Sequence, residues 1–214
     1  MTKYGPARIF LARHGQSTWN EQKRVSGQGN PPLTDSGKQQ AQLIAEILQR
    51  DPPTAIYTST LTRAVETAQP TALEHNISIQ TKDALKEIHM GVLEGRFRDD
   101  RDPEAQQLWR VREHDKWHYR IPGGETYEDL AWRALPCLDE ILTNECDGTV
   151  LIVGHRNTNR VLLGALLHWP SAVTVTVDPK SKYLYEIVPG EIPSVRTITL
   201  SAAKFGVVSE GFHA

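Results

Sequence analysis

The chain breaks into short apolar runs separated by stretches of helical period. Arg8 to Leu11, Ala55 to Tyr57, Ile77 to Gln80 and Thr149 to Val153 are too short for helices and predict strands, the last as a fully buried one. Ala41, Ile44, Ala45 and Leu48 recur at helical spacing behind Thr34, a good N-cap, and Asp51-Pro52-Pro53 closes that helix. Ala64, Val65, Ala68 and Ala72 predict a second helix, irregular near Pro70, where proline removes a backbone donor. Thr126 opens a third, with Leu130, Ala134, Cys137, Leu138 and Ile141 on one apolar face. Val161 to Leu167 belongs to a fourth, and Tyr183 to Val188 and Val195 to Leu200 read as two late strands. Strands and helices alternating across short loops predict an α/β fold, a three-layer α/β/α sandwich around a mostly parallel central sheet.

Residues from about 94 to 124 break this rhythm. They carry many charges, Trp109 and Trp117 and little sustained period, with helical character only around Glu104 to Arg112. We read them as a charged excursion of one domain spanning 1–214, lying over the active-site side of the sheet, and not as a linker.

Composition narrows the classes. The 214 residues carry a net charge of −2, which argues against a general nucleic-acid surface, so any anion must be met by a local cluster of cations. No run approaches the ~20 apolar residues of a membrane helix, and the start lacks the pattern of a signal peptide. Cys137 and Cys146 have no metal-ligand spacing, and Cys137 falls on a core face. His89 and His114 lack ligand partners, and Asp99, Asp100 and Asp102 beside Arg98 and Arg101 read as a solvated mixed-charge segment. The expectation is a reduced cytoplasmic protein with no metal or other cofactor and no nucleic-acid or membrane partner. Whether it forms a homo-oligomer is left open.

The chemistry gathers at strand ends. Arg13-His14 follows the first strand, Arg63 stands shortly after the second, and His155-Arg156 follows the fourth. In a parallel sheet these carboxyl ends share one edge, where ligands bind. Guanidinium groups and imidazoles around one point suit a doubly charged anion such as a phosphoryl group.

Further motifs surround these residues. Arg13-His14-Gly15 with Asn20, Leu33-Thr34-Asp35-Ser36-Gly37, Ser59-Thr60-Leu61-Thr62-Arg63-Ala64, Leu85-Lys86-Glu87 and Gly154-His155 run in order over nearly the whole chain. Together they resemble the histidine phosphatase superfamily, which includes the cofactor-dependent phosphoglycerate mutases. The resemblance implies that His14 is the nucleophile and forms a phosphohistidine. Arg13, Arg63 and His155 would hold the phosphoryl oxygens, with neutral hydrogen bonds from Asn20 and from Ser26 or Gly27. Glu87 would protonate the leaving oxygen and then help activate water. The plainer alternative for Glu87 is a loop carboxylate paired to Lys86 or Arg96.

Within the family the resemblance divides. Mutases carry Arg and Tyr where this chain has Ile88 and Met90, which favours a phosphatase. The stretch from Arg112 to Leu130 is similar to the fructose-2,6-bisphosphatase branch. That similarity implies that Arg112, Lys116 and Tyr127 contact a sugar and its second phosphate, with Arg156 adding positive charge where that branch has Gln. Arg112 and Lys116 lie one turn apart if the segment is helical. The alternative is that they pair with Glu113 and Asp115 on a solvated face. The expected activity is metal-independent hydrolysis of a small phosphorylated metabolite, a sugar bisphosphate such as a fructose bisphosphate being favoured. A phosphoglycerate mutase and a phosphatase for phosphoserine or α-ribazole phosphate are the enzyme alternatives. A silent phosphate-binding scaffold is disfavoured, because such proteins lose the nucleophile or the acid and this chain keeps both.

Overall fold

The computed structural model describes residues 8–201 and 206–214. In chain order the elements are β1 (Arg8–Arg13), α1 (Thr18–Glu21), α2 (Asp35–Leu48), β2 (Ala55–Thr58), α3 (Thr62–His75), β3 (Ile79–Thr81), α4 (Pro103–His114) and α5 (Tyr127–Asn144). They continue with β4 (Thr149–Gly154), α6 (Arg156–Leu166), α7 (Ser171–Thr174), β5 (Tyr183–Val188), β6 (Ser194–Thr199) and β7 (Val207–Glu210).

Among the described residues seven strands form one sheet in the order β3-β2-β4-β1-β5-β6-β7. Side chains of successive strand residues point to opposite faces. In β1, Ile9 and Leu11 therefore join the apolar faces of α5 and α6, while Phe10 and Ala12 join Ile44 and Leu48 of α2 and Ala64, Ala68 and Ala72 of α3. The three layers expected from the pattern are present.

The sheet is mixed. β3, β2, β4 and β1 run parallel, whereas β5, β6 and β7 pair antiparallel. For β5 and β6 the reason is chain length. Only residues 189–193 separate β5 from β6, enough for a hairpin but far short of the dozen or more residues a parallel crossover needs. β7 lies in the tail from Ser201 to Ala214, whose sequence leaves open disorder or folding over the pocket; the strand instead extends the sheet beside β6, and residues 202–205 of that tail lie outside the described residues.

Local signals explain most helix boundaries. Thr34 caps α2 by accepting from the Gly37 N–H. α5 opens on a capping box, in which the Thr126 hydroxyl accepts from the Asp129 N–H (3.0 Å) and the Asp129 carboxylate accepts from the Thr126 N–H (2.8 Å). α3 runs through Pro70 and ends at Asn76, whose left-handed backbone closes the helix. Among the described residues no helix is long and apolar enough to cross a membrane.

Candidate active site

β1 and β4 are parallel neighbours with Arg13 in register with Gly154, so His14 and His155 leave the sheet at one edge. The His14 N–H continues the ladder to the Gly154 carbonyl at 2.9 Å. The two rings lie 5.1 Å apart between centroids. β2 ends beside β4 and feeds α3, whose second residue is Arg63. All three strand ends therefore converge.

The loop after β1 fixes His14. Its Nδ1 lies 2.7 Å from the Gly15 carbonyl, which can only accept. Nδ1 thus carries the proton, and the Nε2 lone pair is left for chemistry. The Gly15 N–H donates to Thr67 Oγ1, which donates to the Arg63 carbonyl, tying the loop to α3. A side chain on Gly15 would run into the backbone of Gly37 in the first turn of α2. Glycine is required there for close approach.

His155 is fully buried beside His14. Its Nε2 meets Ser59 Oγ at 2.7 Å and its Nδ1 has no hydrogen-bond partner. Arg63 donates to the carbonyls of Gly29 (2.6 Å) and Gly27 (2.8 Å), so one guanidinium orders the loop that also presents Ser26 and Gly27. Burial lowers Arg63 to a pKa of about 10. Arg13 is likewise lowered to about 10, by burial and then by the charge of Arg156. Burial, then the charge of Arg63, hold both His14 and His155 well below the ordinary imidazole value of 6.5. Two neutral buried imidazoles make stability depend on pH. The unfolded chain takes up protons on them below about 6.5 and the folded chain resists, so stability is lost as pH falls. The melting temperature is expected to drop from pH 7 to pH 5, and by less in His14→Ala; equal drops would exclude His14 as a source.

Glu87 pairs with neither Lys86 nor Arg96, which bind Asp83 and Asp102. Its carboxylate instead occupies the start of α6, where the N-cap His155 supplies no capping side chain. Oε1 accepts from the N–H groups of Ile88 (2.8 Å), Asn157 (3.2 Å) and Thr158 (3.3 Å), and Oε2 accepts from Asn157 (3.2 Å). A carboxylate at a helix N-terminus satisfies otherwise unpaired donors and meets the positive end of the dipole. The same helix therefore places His155 and Glu87.

A pocket opens in front of His14. Its wall includes Arg13, Arg63, Glu87, Asn20, Ser26 and Gly27, and from the charged excursion Trp109, Arg112 and Lys116. Asn20 Oδ1 accepts from the Ser17 N–H in the capping box of α1. Arg112 is 2 % exposed, its guanidinium lies against the rings of Tyr127 and Trp109, and its Nε and Nη2 have no partner. α4 ends at His114, so Lys116 lies beyond the helix and not one turn along it from Arg112. Lys116 still reaches the pocket, paired with Glu113 at 2.6 Å. Tyr127 is placed differently from the expectation. It stands behind the wall, because its hydroxyl is taken up by Asn157 and Arg160 and its ring stacks on Trp117. Arg156 lines the pocket and is held by Asp178 at 2.7 Å.

Among the wall residues that sequence reasoning did not place in the site are Arg24, Arg98, Asn157 and Arg160. Arg24, held by the Gly95 carbonyl and stacked on Phe97, lies in a loop without period. Arg98 belonged to the segment read as solvated; Arg101–Asp99 and Arg96–Asp102 do pair there, but Arg98 turns to the pocket. Asn157 and Arg160 stand in the first turns of α6, and the Arg156–Arg160 spacing of one helical turn was the available signal. Among the described residues no group of three or more histidine, cysteine or acidic side chains could hold a metal ion.

Residues 9–191 match the family model described as histidine phosphatase superfamily, branch 1. The chain belongs to the histidine phosphatase superfamily. It is an enzyme of the phosphoric monoester hydrolase type. Over 163 residues, 76% of this chain and 76% of the relative, it is 34% identical to a Yersinia pestis protein named "Probable phosphoglycerate mutase GpmB". A mycobacterial glucosyl-3-phosphoglycerate phosphatase, solved with VO3, superposes with a TM-score of 0.75 at 28% identity, covering 92% of this chain and 100% of that one. The α-ribazole phosphatase from Shigella flexneri gives a TM-score of 0.78 at 24% identity over 94% of this chain and 98% of that one, and shows the shared fold.

Proposed function

We propose that this histidine phosphatase hydrolyses a small phosphorylated metabolite carrying a second anionic group, of the sugar bisphosphate class, through a phosphohistidine on His14. Arg112 is the observation that carries the choice of substrate. A guanidinium that is 2 % exposed with two unpartnered nitrogens stands ready for an anion, because buried polar groups left unpaired are costly. The surroundings agree. Eight cations line the pocket (Arg13, Arg24, Arg63, Arg98, Arg112, Lys116, Arg156 and Arg160) against two carboxylates, Glu87 and Glu113, in a chain of net charge −2.

In this reading His14 Nε2 attacks phosphorus in line while the Gly15 carbonyl holds its tautomer. Arg13 and Arg63 meet the equatorial oxygens and stabilise their charge. His155, buried beside His14 and set behind the pocket wall, accepts the Ser59 hydroxyl at Nε2 and backs the phosphate site with an unpartnered Nδ1–H rather than lining it. Glu87 delivers a proton to the leaving oxygen as the P–O bond breaks. It then takes one from the water that attacks the phosphohistidine, which releases phosphate and restores His14. Asn20, Ser26 and Gly27 add neutral contacts around the phosphoryl group.

The Yersinia relative's name raises the mutase reading. Against it, the positions where mutases carry Arg and Tyr hold Ile88 and Met90, both buried and apolar. Arg112→Ala and Lys116→Ala are each expected to raise KM for fructose 1,6-bisphosphate about 10- to 100-fold more than KM for a one-phosphate ester, the size of a charge-assisted hydrogen bond. Equal effects on both esters would remove the second anionic group from the account. Conversion of 3-phosphoglycerate to 2-phosphoglycerate at a rate rivalling hydrolysis would favour the mutase.

A further inference from the structure

The segment that carries Glu87 has little structure of its own. Between β3 and α4 it contains only two short 3-10 turns, Asp83–Leu85 and Gly91–Leu93. A general acid on such a segment needs an outside support. Thr158 Oγ1 donates to the Lys86 carbonyl at 2.8 Å and Gln28 Nε2 to the Glu87 carbonyl at 3.2 Å, but the largest set of contacts comes from a single side chain in α5.

Arg133 donates Nη1 to the carbonyls of Ala84 (2.7 Å) and Lys86 (2.9 Å), and Nη2 to the carbonyl of Glu87 (3.0 Å). The same guanidinium binds Glu125 in a fork, Nε to Oε1 at 2.8 Å and Nη2 to Oε2 at 2.9 Å. Glu125 Oε2 also accepts from the His89 N–H at 2.8 Å. The backbone is thus pinned on both sides of Glu87 by one ion pair, while the Glu87 carboxylate is held separately by α6. Burial opposes ionisation of Glu125, but Arg133 and the His89 N–H outweigh it and its pKa ends below the ordinary value.

We propose that Arg133 and Glu125 are positioning residues for Glu87, setting the main chain from which its carboxyl group addresses the leaving oxygen. This rests on the reading of Glu87 as general acid. An arginine is required because its planar fork serves three carbonyls and a carboxylate at once; a lysine ammonium has three donors on one atom and cannot span them. Misplacement of a catalytic group by about 1 Å costs on the order of 100-fold in rate.

The test is the dependence of kcat/KM on leaving-group pKa across a series running from p-nitrophenyl phosphate to alkyl phosphates. A nitrophenolate leaves without help, whereas an alkoxide needs the proton. Wild type is expected to show a shallow slope and Glu87→Gln a steep one. Arg133→Lys and Glu125→Gln are expected to raise the ratio of p-nitrophenyl to alkyl phosphate activity at least about tenfold over wild type. Both changes keep most of the packing volume, so the test does not depend on Arg133→Met folding. A steep slope in Glu87→Gln with wild-type slopes in Arg133→Lys and Glu125→Gln would overturn the positioning role alone. A wild-type slope in Glu87→Gln would overturn the general-acid reading, and the positioning role with it.

Discussion

Replacing His14 by alanine is expected to lower turnover by about 10⁵-fold or more, the scale of losing a nucleophile in a covalent mechanism. His14 is the one imidazole among the described residues of the pocket wall. His155 is the other imidazole at the sheet edge, but its Nε2 is engaged by Ser59 and it lies buried behind the pocket wall. His14 alone combines a tautomer fixed by the Gly15 carbonyl with a place in that wall. Its pKa, lowered by burial and by Arg63, favours a neutral ring with the Nε2 lone pair free. His14→Ala leaves Arg13, Arg63 and Glu87 in place, so the variant should still bind substrate. Steady-state turnover alongside equilibrium binding separates the two; retained turnover would remove His14 from the mechanism.

The second large effect concerns the proton. Glu87→Gln is expected to lower kcat for an alkyl phosphate about 10²- to 10⁴-fold, the usual contribution of general acid catalysis. Glutamine can keep an acceptor at the Oε1 position, where Ile88, Asn157 and Thr158 donate, so the cap on α6 survives. Only Oε2, which accepts from Asn157 alone, is exchanged for a group that cannot shuttle a proton. The loss then reports proton transfer rather than unfolding, and a thermal melt close to wild type checks this. A kcat within threefold of wild type would assign the acid to another group.

Hydrophobic period made the sandwich legible in sequence, because Ile9, Phe10, Leu11 and Ala12 are buried by helices on both faces of β1 and are apolar without interruption. It also brought Arg13, His14, Arg63 and His155 to one edge, since the ends of parallel strands share an edge. The antiparallel half was not legible. β5 and β6 read as strands, but composition does not state their direction; for this pair it follows from the short connection at residues 189–193. The outer wall was only partly legible for a related reason. Arg112 and Lys116 came from a resemblance, but Arg24 and Arg98 sit in segments where sequence cannot distinguish a cation facing solvent from one facing a pocket. Tyr127 shows the converse. An aromatic residue at the start of a well-marked helix was placed in the site, whereas its hydroxyl is satisfied by Arg160 and Asn157 and its ring supports Arg112 from behind. Arg133 is silent in sequence because nothing in the α5 pattern marks a polar residue that binds main-chain carbonyls some 46 to 49 positions away.

The most direct test of the central claim is a rapid-quench experiment with substrate labelled in the transferable phosphoryl group, followed by mapping of the label on the protein. The account predicts a phosphoryl enzyme that is acid-labile and base-stable, close to one label per chain in the burst, located on His14 and missing from His14→Ala. Label on another side chain, or full turnover by His14→Ala, would contradict it.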